Sequence, residues 1–158
     1  MARKPNIQQM GFWRNGYSMT LALLAATLLF VAPVAAAAAK AYVGNFKDNT
    51  ISVIDLESKQ VMASIPIPPG PHGIAITPDN RWVYVASDGT STVSVIDTST
   101  DKLVENIEVG KNPHGVAVSP DGKYVLVAVY DTDSIAFIDT VTRKVIGSVP
   151  AGKPHNKP

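Results

Sequence analysis

A segment of about 42 residues occurs nearly three times in this chain, and this repetition restricts the possible folds more than any other feature. Residues 50–55 read TISVID, residues 92–97 read TVSVID and residues 134–139 read SIAFID, so each copy begins 42 positions after the previous one. A period of this length is typical of solenoids and propellers. In such proteins one unit cannot bury its own faces and must pack against its neighbours.

The turns repeat with the same period as the apolar segments. The tripeptide Pro-His-Gly at 71–73 returns at 113–115, and Thr-Pro-Asp at 77–79 returns as Ser-Pro-Asp at 119–121. Residues 123–129 are almost wholly apolar, as expected for a strand that is covered on both faces. Short apolar runs separated by polar turns therefore predict a four-stranded antiparallel meander in each unit.

The N-terminal residues have the pattern of an export signal. Basic residues, Arg3 and Arg14 among them, precede an uncharged run that begins at Tyr17 and ends in the alanines Ala35 to Ala39. A basic region, an aliphatic centre and a small-residue cleavage zone are typical of a signal peptide. We expect residues 1–39 to be removed and the protein to be periplasmic or extracellular. The alternative is a retained anchor, because the uncharged run is about long enough to span a bilayer.

Composition excludes several kinds of site. The chain has no cysteine, which excludes disulfides, thiolate metal sites, a cysteine nucleophile and a covalently attached c-type haem. Its net charge of +1 does not give the basic surface that nucleic-acid-binding domains carry. We therefore expect no nucleic-acid partner, and membrane contact only through an uncleaved leader.

The repeated motifs resemble the YVTN family of β-propeller repeats. The resemblance rests on Tyr84-Val85, on VSVID at 93–97 and on PHGVAVSPDG at 113–122, and it covers essentially all of the chain after Lys40. It implies an all-β fold of four-stranded antiparallel blades placed radially around a channel. About two and three-quarter blades are expected, which is an incomplete propeller. The repeats at 40–152 divide into a partial blade at 41–69, a blade at 70–111 and a blade at 112–152, followed by a tail at 153–158.

The expected partial blade lacks its innermost strand. In propellers of this kind that strand comes from the far end of the chain and closes the ring. Here residues 156–158 read Asn-Lys-Pro where Gly-Val-Ala-Val is expected, so the closing strand is missing. Two interpretations stay open: the reading frame is truncated, or another chain provides closure. In the second case the exposed blade flanks would associate with a second copy or with another propeller chain.

The histidines are the first candidates for a ligand site. His72, His114 and His155 each open a repeat beside a proline, and propeller geometry places them around the channel. Three imidazoles could bind a transition metal. We favour a structural role, in which each imidazole hydrogen-bonds the backbone of a neighbouring blade, and we predict no metal site. His72 and His114 remain candidate ligand-binding residues.

A polar loop of the last blade should lie on the same face as these histidines. It contains Tyr130, Asp131 and Asp133, between the second and third strands of that blade, and the matching earlier loops contain Asp88 and Asp48. A rim of carboxylates could bind a cation or a basic ligand, although solvated loop aspartates are common. Tyr130, Asp131 and Asp133 complete the predicted ligand-binding set.

The other repeated aspartates are predicted to cap turns. Three of them end the third strands and two lie in hairpin turns: Asp55, Asp97 and Asp139, and Asp79 and Asp121. Trp82 begins a strand that is otherwise full of core residues, and it is expected to pack between blades.

The chain contains no complete catalytic constellation. Its glycines form no phosphate-binding loop, and there is no serine nucleophile elbow, so no catalytic residue and no cofactor are predicted. The favoured function is an exported, non-enzymatic binding or scaffolding module. The alternatives are a fragment or relative of a periplasmic propeller oxidoreductase, similar to amine dehydrogenase heavy chains or cytochrome d1-type proteins, and a truncated product without activity. Fold alone does not choose among them.

Overall fold

The computed structural model describes residues 39–152, which form three antiparallel sheets. The predicted leader, apart from Ala39, and the tail at 153–158 with His155 lie outside the described residues, and both assignments stay predictions. The first sheet contains β1 (Lys40–Asn45), β2 (Thr50–Asp55) and β3 (Gln60–Pro66). The second contains β4 (Pro71–Ile76), β5 (Trp82–Ser87), β6 (Thr92–Asp97) and β7 (Lys102–Glu108). The third contains β8 (Pro113–Val118), β9 (Tyr124–Val129), β10 (Ser134–Asp139) and β11 (Lys144–Pro150), with a 3₁₀ turn at Tyr130–Thr132.

The predicted fold class is confirmed. The second and third sheets are four-stranded meanders in sequential order, whereas the first has three strands, without an innermost strand among residues 39–152. We call the sheets blade 1, blade 2 and blade 3. Within residues 39–152 no helix is long and apolar enough to cross a bilayer.

The repeat extends to irregular backbone features. The turn before the outermost strand of each blade contains a left-handed residue, with φ between 53° and 59° at Lys59, Asp101 and Arg143. The pairing of the two outermost strands shifts register after Val53, Val95 and Phe137, which are also 42 residues apart. Equivalent bulges and turns give the three blades the same twist, so they stack with matching faces.

Two apolar cores lie between the blades, and strand β5 contributes to both. Val83 and Val85 face blade 1. They share a core with Ile96 of their own blade and with Ile51, Val53, Ile65 and Ile67. Tyr84 and Ala86 face blade 3, where the core also contains Val93, Val95, Ile107, Val125, Val127, Val129, Ala136 and Ile138. Alternate side chains of a strand point to opposite faces of its sheet, which explains why this strand is apolar throughout.

The innermost strands of blades 2 and 3 approach each other closely at Gly73. A Cβ at this position would lie 2.2 Å from the carbonyl oxygen of His114 and 2.8 Å from the amide nitrogen of Val116. Only glycine permits such an approach between two backbones. The glycine of the Pro-His-Gly motif therefore sets the separation of the residues beside it.

Candidate functional site

His72 and His114 form a contacting pair at the entrance of the inner strands. Each is the second residue of its innermost strand, and the close approach at Gly73 brings the two side chains together. Their ring centroids are 3.5 Å apart and the ring planes are tilted by 34°. Among the residues at 39–152 neither imidazole has a hydrogen-bond partner, so the expected bond to a neighbouring backbone is not found there.

Two aromatic rings flank the histidine pair. Phe46 meets His72 edge-on, with centroids 6.3 Å apart and planes at 90°. Tyr130 lies on the other side, with its centroid 5.1 Å from that of His114. Phe46 and Tyr130 are repeat equivalents, and the equivalent residue between them in sequence is Asp88. Blades 1 and 3 therefore place a ring where blade 2 places a carboxylate.

Asp88 completes a three-residue cluster with the histidine pair. One nitrogen of each imidazole and one Asp88 carboxylate oxygen all lie within 4.8 Å of one another. Asp88 is held by its backbone amide, which donates to the carbonyl of Gly70 at 2.9 Å. Gly70 has a φ of 78°, and a Cβ there would lie 2.2 Å from an Asp88 carboxylate oxygen. A glycine at position 70 is thus required for the observed position of Asp88.

The surroundings of His114 favour its neutral form. Burial lowers the pKa of His114, and the neighbouring His72 acts in the same direction, whereas Asp88 opposes both. A neutral imidazole retains one nitrogen lone pair that can accept a proton or bind a metal. In that form His114 offers a nitrogen lone pair close to the Asp88 carboxylate.

The structure brings together part of the predicted ligand-binding set. His72, His114 and Tyr130 are in contact, whereas Asp131 accepts a 2.7 Å hydrogen bond from the Asn112 side chain. Asp133 has a φ of 48°, and its Oδ1 is buried without a partner among the described residues. Neither Asp131 nor Asp133 joins the three-residue cluster.

Asp88 is not in the predicted ligand-binding set, although the sequence places it in the loop that matches the one with Asp131 and Asp133. The signal that could have identified it is its departure from the aromatic residues at the two equivalent positions, Phe46 and Tyr130.

A cleft of about 530 Å³ lies at the opposite ends of the inner strands, between blades 2 and 3. The Arg143 guanidinium lies 4.0 Å from the centroid of the Trp82 ring, and that of Arg81 lies 4.9 Å away. Arg143 also pairs with Glu105 at 3.6 Å. Trp82 packs against the core between these blades, which confirms its predicted packing role. The arrangement is explained by stabilisation of the junction.

The predicted turn-capping aspartates are confirmed. Asp79 accepts hydrogen bonds from the Thr77 hydroxyl at 2.5 Å and from the Arg81 amide at 3.0 Å. These bonds lower the pKa of the Asp79 carboxyl, and the bond from the Thr77 hydroxyl has the larger effect. The other four accept hydrogen bonds from backbone amides of their own turns: Asp55, Asp97, Asp121 and Asp139. Local capping accounts for all five carboxylates.

Stacked four-stranded blades and repeated Pro-His-Gly motifs on the inner strands define a β-propeller repeat protein. The sequence profile of the YNCE-like beta-propeller family matches residues 34–120, which is more than half of the chain. The chain belongs to the YNCE-like β-propeller family, in agreement with the resemblance to YVTN repeats.

Two solved structures show the same fold. Hydrazine synthase of Kuenenia stuttgartiensis superimposes with a TM-score of 0.70 and 27% identity, over 72% of this chain and 33% of that one. Dihydro-heme d1 dehydrogenase NirN in complex with DHE gives a TM-score of 0.64 and 27% identity, over 73% of this chain and 25% of that one. The chain thus spans about a third and a quarter of the length of these proteins. No curated protein sequence matches it.

Proposed function

We propose that this chain is an exported, non-enzymatic propeller module that binds its ligand on the inner-strand face and completes its ring by head-to-tail association with one or two further copies. One observation carries the proposal: the two outer flanks of the three-blade stack are the repeat equivalents of flanks that are buried within it. The leader pattern at 1–39 supports export.

The free flank of blade 1 has the same chemistry as a covered flank. Val43, Thr50, Ser52 and Ile54 are identical to their equivalents on the face of blade 2 that packs on blade 1: Val85, Thr92, Ser94 and Ile96. Val85 and Ile96 are fully buried by blade 1, whereas Val43 is 44% exposed. The flank is therefore suited to cover by a preceding blade.

The free flank of blade 3 is suited to a following blade. It carries Leu126, Ile135 and Phe137, which are only partly buried. Their equivalents in blade 2 are Tyr84, Val93 and Val95, each fully buried against blade 3. Removal of such apolar surface from water is favourable by about 25 cal/mol per Å², before the entropic cost of association is subtracted. A flank of this kind is typical of an association surface.

Side chains at the junctions between blades indicate that the free flank of blade 3 would meet the free flank of blade 1 in a second copy. Lys40 of blade 1 pairs with Asp101 of blade 2 at 2.6 Å, and their equivalents in the next junction are Trp82 and Arg143. The third junction would lie between blade 3 and blade 1 of a second copy. In that junction Tyr124 takes the place of Trp82, and it would face Lys59, which is the blade 1 equivalent of Arg143. An aromatic ring opposite a cation is favourable, as it is between Trp82 and Arg143.

Light scattering of the full chain, expressed with its own leader, tests this proposal. We expect a closed dimer or trimer with about six to nine blades in total, within or near the usual range for propellers. Lys59→Glu should weaken the association because it places a carboxylate over the Tyr124 ring, whereas Lys59→Arg should preserve it. A monodisperse monomer of the wild-type chain that melts cooperatively would contradict the proposal.

The second candidate function is that of a component or relative of a propeller oxidoreductase. The observation that favours it is the similarity to hydrazine synthase and to the dehydrogenase NirN, whose structure contains DHE. Imidazoles such as those of His72 and His114 are common ligands of haem iron, although the absence of cysteine excludes thioether attachment. A visible absorption band that stays with the chain through purification would support this function, and a colourless protein would support the binding module.

A further inference from the structure

We propose that His72, Asp88 and His114 form a binding site for a divalent first-row transition-metal ion, with Zn²⁺ as the reference ion. The inference rests on the binding role proposed for the inner-strand face, and it names the chemical class of the ligand. It requires only blades 2 and 3 of one chain, so it does not depend on association between chains.

The donor atoms suit this class of ion. Two imidazole nitrogens with one carboxylate oxygen are a common set for Zn²⁺ and for Fe²⁺, and they leave coordination positions open for water or a small ligand. Ca²⁺ and Mg²⁺ prefer oxygen ligands alone, and a chain without cysteine offers no thiolate for softer ions. The site is therefore expected to discriminate against the hard cations.

The cluster can reach ligand geometry through small side-chain rotations. Its donor atoms now lie within 4.8 Å of one another. Zn–N distances of about 2.0–2.1 Å place tetrahedral ligand atoms about 3.4 Å apart. A nitrogen lone pair lies in its ring plane, so the two rings must open beyond their 34° tilt to share an ion. Because no side-chain hydrogen bond to a described residue holds the two imidazoles or the Asp88 carboxylate, these rotations break none there.

The position of the carboxylate in the repeat argues for a specific role. Asp88 interrupts a series of aromatic residues, Phe46 and Tyr130, at the position beside both imidazoles. The two rings flank the histidine pair, Phe46 beside His72 and Tyr130 beside His114. Gly70 provides the space that the Asp88 carboxylate needs. Three observations therefore concern the same place in the fold. They are an aspartate at an otherwise aromatic position, a glycine that gives it space, and the two paired imidazoles.

Titration calorimetry with ZnCl₂ on the full, chelator-treated chain tests the site. We expect one ion per chain, and visible d–d absorption when Co²⁺ replaces Zn²⁺. Asp88→Asn, which keeps the shape but removes the charge, should weaken Zn²⁺ binding by about tenfold or more. His72→Ala removes an exposed ligand and should abolish stoichiometric binding. Asp131→Asn is the matched control, because this carboxylate shares the face but is held by Asn112.

The outcomes separate this inference from the proposed association. Absence of stoichiometric binding, or equal Zn²⁺ affinity in the wild type and in Asp88→Asn, would overturn the metal site. Light scattering of the same metal-free samples reports association independently, and thermal melts confirm that each variant is folded. A closed oligomer that does not bind Zn²⁺ refutes only the metal site, and a monomer that binds it refutes only the association.

Discussion

Tyr42 and Tyr84 occupy equivalent positions in blades 1 and 2, but only the Tyr42 hydroxyl has a hydrogen-bond acceptor. Tyr42 donates to the Asp101 carboxylate at 2.6 Å, across the junction between the two blades. The Tyr84 hydroxyl is buried and has no partner among the described residues. The residue equivalent to Asp101 is Arg143, whose guanidinium can only donate. The two junctions are therefore held by different interactions.

Tyr42→Phe is expected to lower the free energy of unfolding by about 1–2 kcal/mol, because it removes a hydrogen bond to a carboxylate. Burial and the bond to Asp101 raise the pKa of Tyr42, so the hydroxyl stays protonated at neutral pH. Urea unfolding followed by circular dichroism measures the change. An unchanged unfolding midpoint would show that the bond contributes nothing to stability.

Tyr84→Phe is the matched substitution in the next blade, and we expect the opposite result. Removing a buried hydroxyl without an acceptor should leave stability unchanged or increase it by up to about 1 kcal/mol. The same urea experiment applies. A loss of more than about 1 kcal/mol would indicate that a buried water satisfies this hydroxyl.

Gly73→Ala and Gly115→Ala should differ strongly although both alter the same motif. A Cβ at Gly73 would collide with the backbone of blade 3, so we expect a loss of about 3 kcal/mol or more. A Cβ at Gly115 would lie 3.8 Å from the Cβ of Ala128, an ordinary contact, so stability should change by less than about 1 kcal/mol. Thermal melts of both variants decide; similar melting temperatures would contradict the close approach of the inner strands.

Asp79→Asn should reduce the sensitivity of the fold to acid. The hydrogen bonds to Asp79 hold its pKa below the ordinary value of 3.8 in the folded state. The stabilisation is fully present above the ordinary pKa. It is lost as the pH falls through the lower pKa of the folded state, because in this pH range the carboxyl binds a proton more tightly in the unfolded chain than in the folded one. Melting temperatures measured from neutral pH to below this range should decline less in the variant. Equal declines would contradict the role of this turn.

Removal of the leader is expected to leave an N-terminus between about residues 35 and 41, where small residues meet the cleavage pattern. Intact-mass measurement of periplasmic material checks this, with the whole-cell extract as the reference. Recovery of the full-length chain from the membrane fraction would instead support a retained anchor.

The repeat pattern is sufficient to predict the strands found in residues 39–152 and the three-stranded first sheet. The third copy of the repeated segment, at 134–139, forms strand β10, and the turn-capping aspartates follow from local hydrogen bonding. Such features depend on residues that are close in sequence, and three copies of one pattern make them visible.

The details of the histidine cluster could not be read from the sequence. The motif predicts that His72 and His114 share a face, but their 3.5 Å separation depends on how closely two inner strands converge at Gly73. Attention to what the copies share also hides what differs between them. The repeat pattern therefore places Asp88 in a loop on this face but does not single it out from the other loop carboxylates, and it does not reveal that Arg143 stands where blade 2 has Asp101.

Strand β5 takes part in both apolar cores, which has a consequence for cooperativity. In a single chain that is not associated with other copies, the middle blade has two stabilising interfaces and each end blade has one. Opening of blade 1 or blade 3 costs a single interface, whereas opening of blade 2 abolishes both. Backbone amides of β5, which is buried on both faces, should thus exchange hydrogen most slowly. The outermost strand β11, in which every residue is exposed, should exchange fastest, so that the unassociated chain frays from its ends towards Val85.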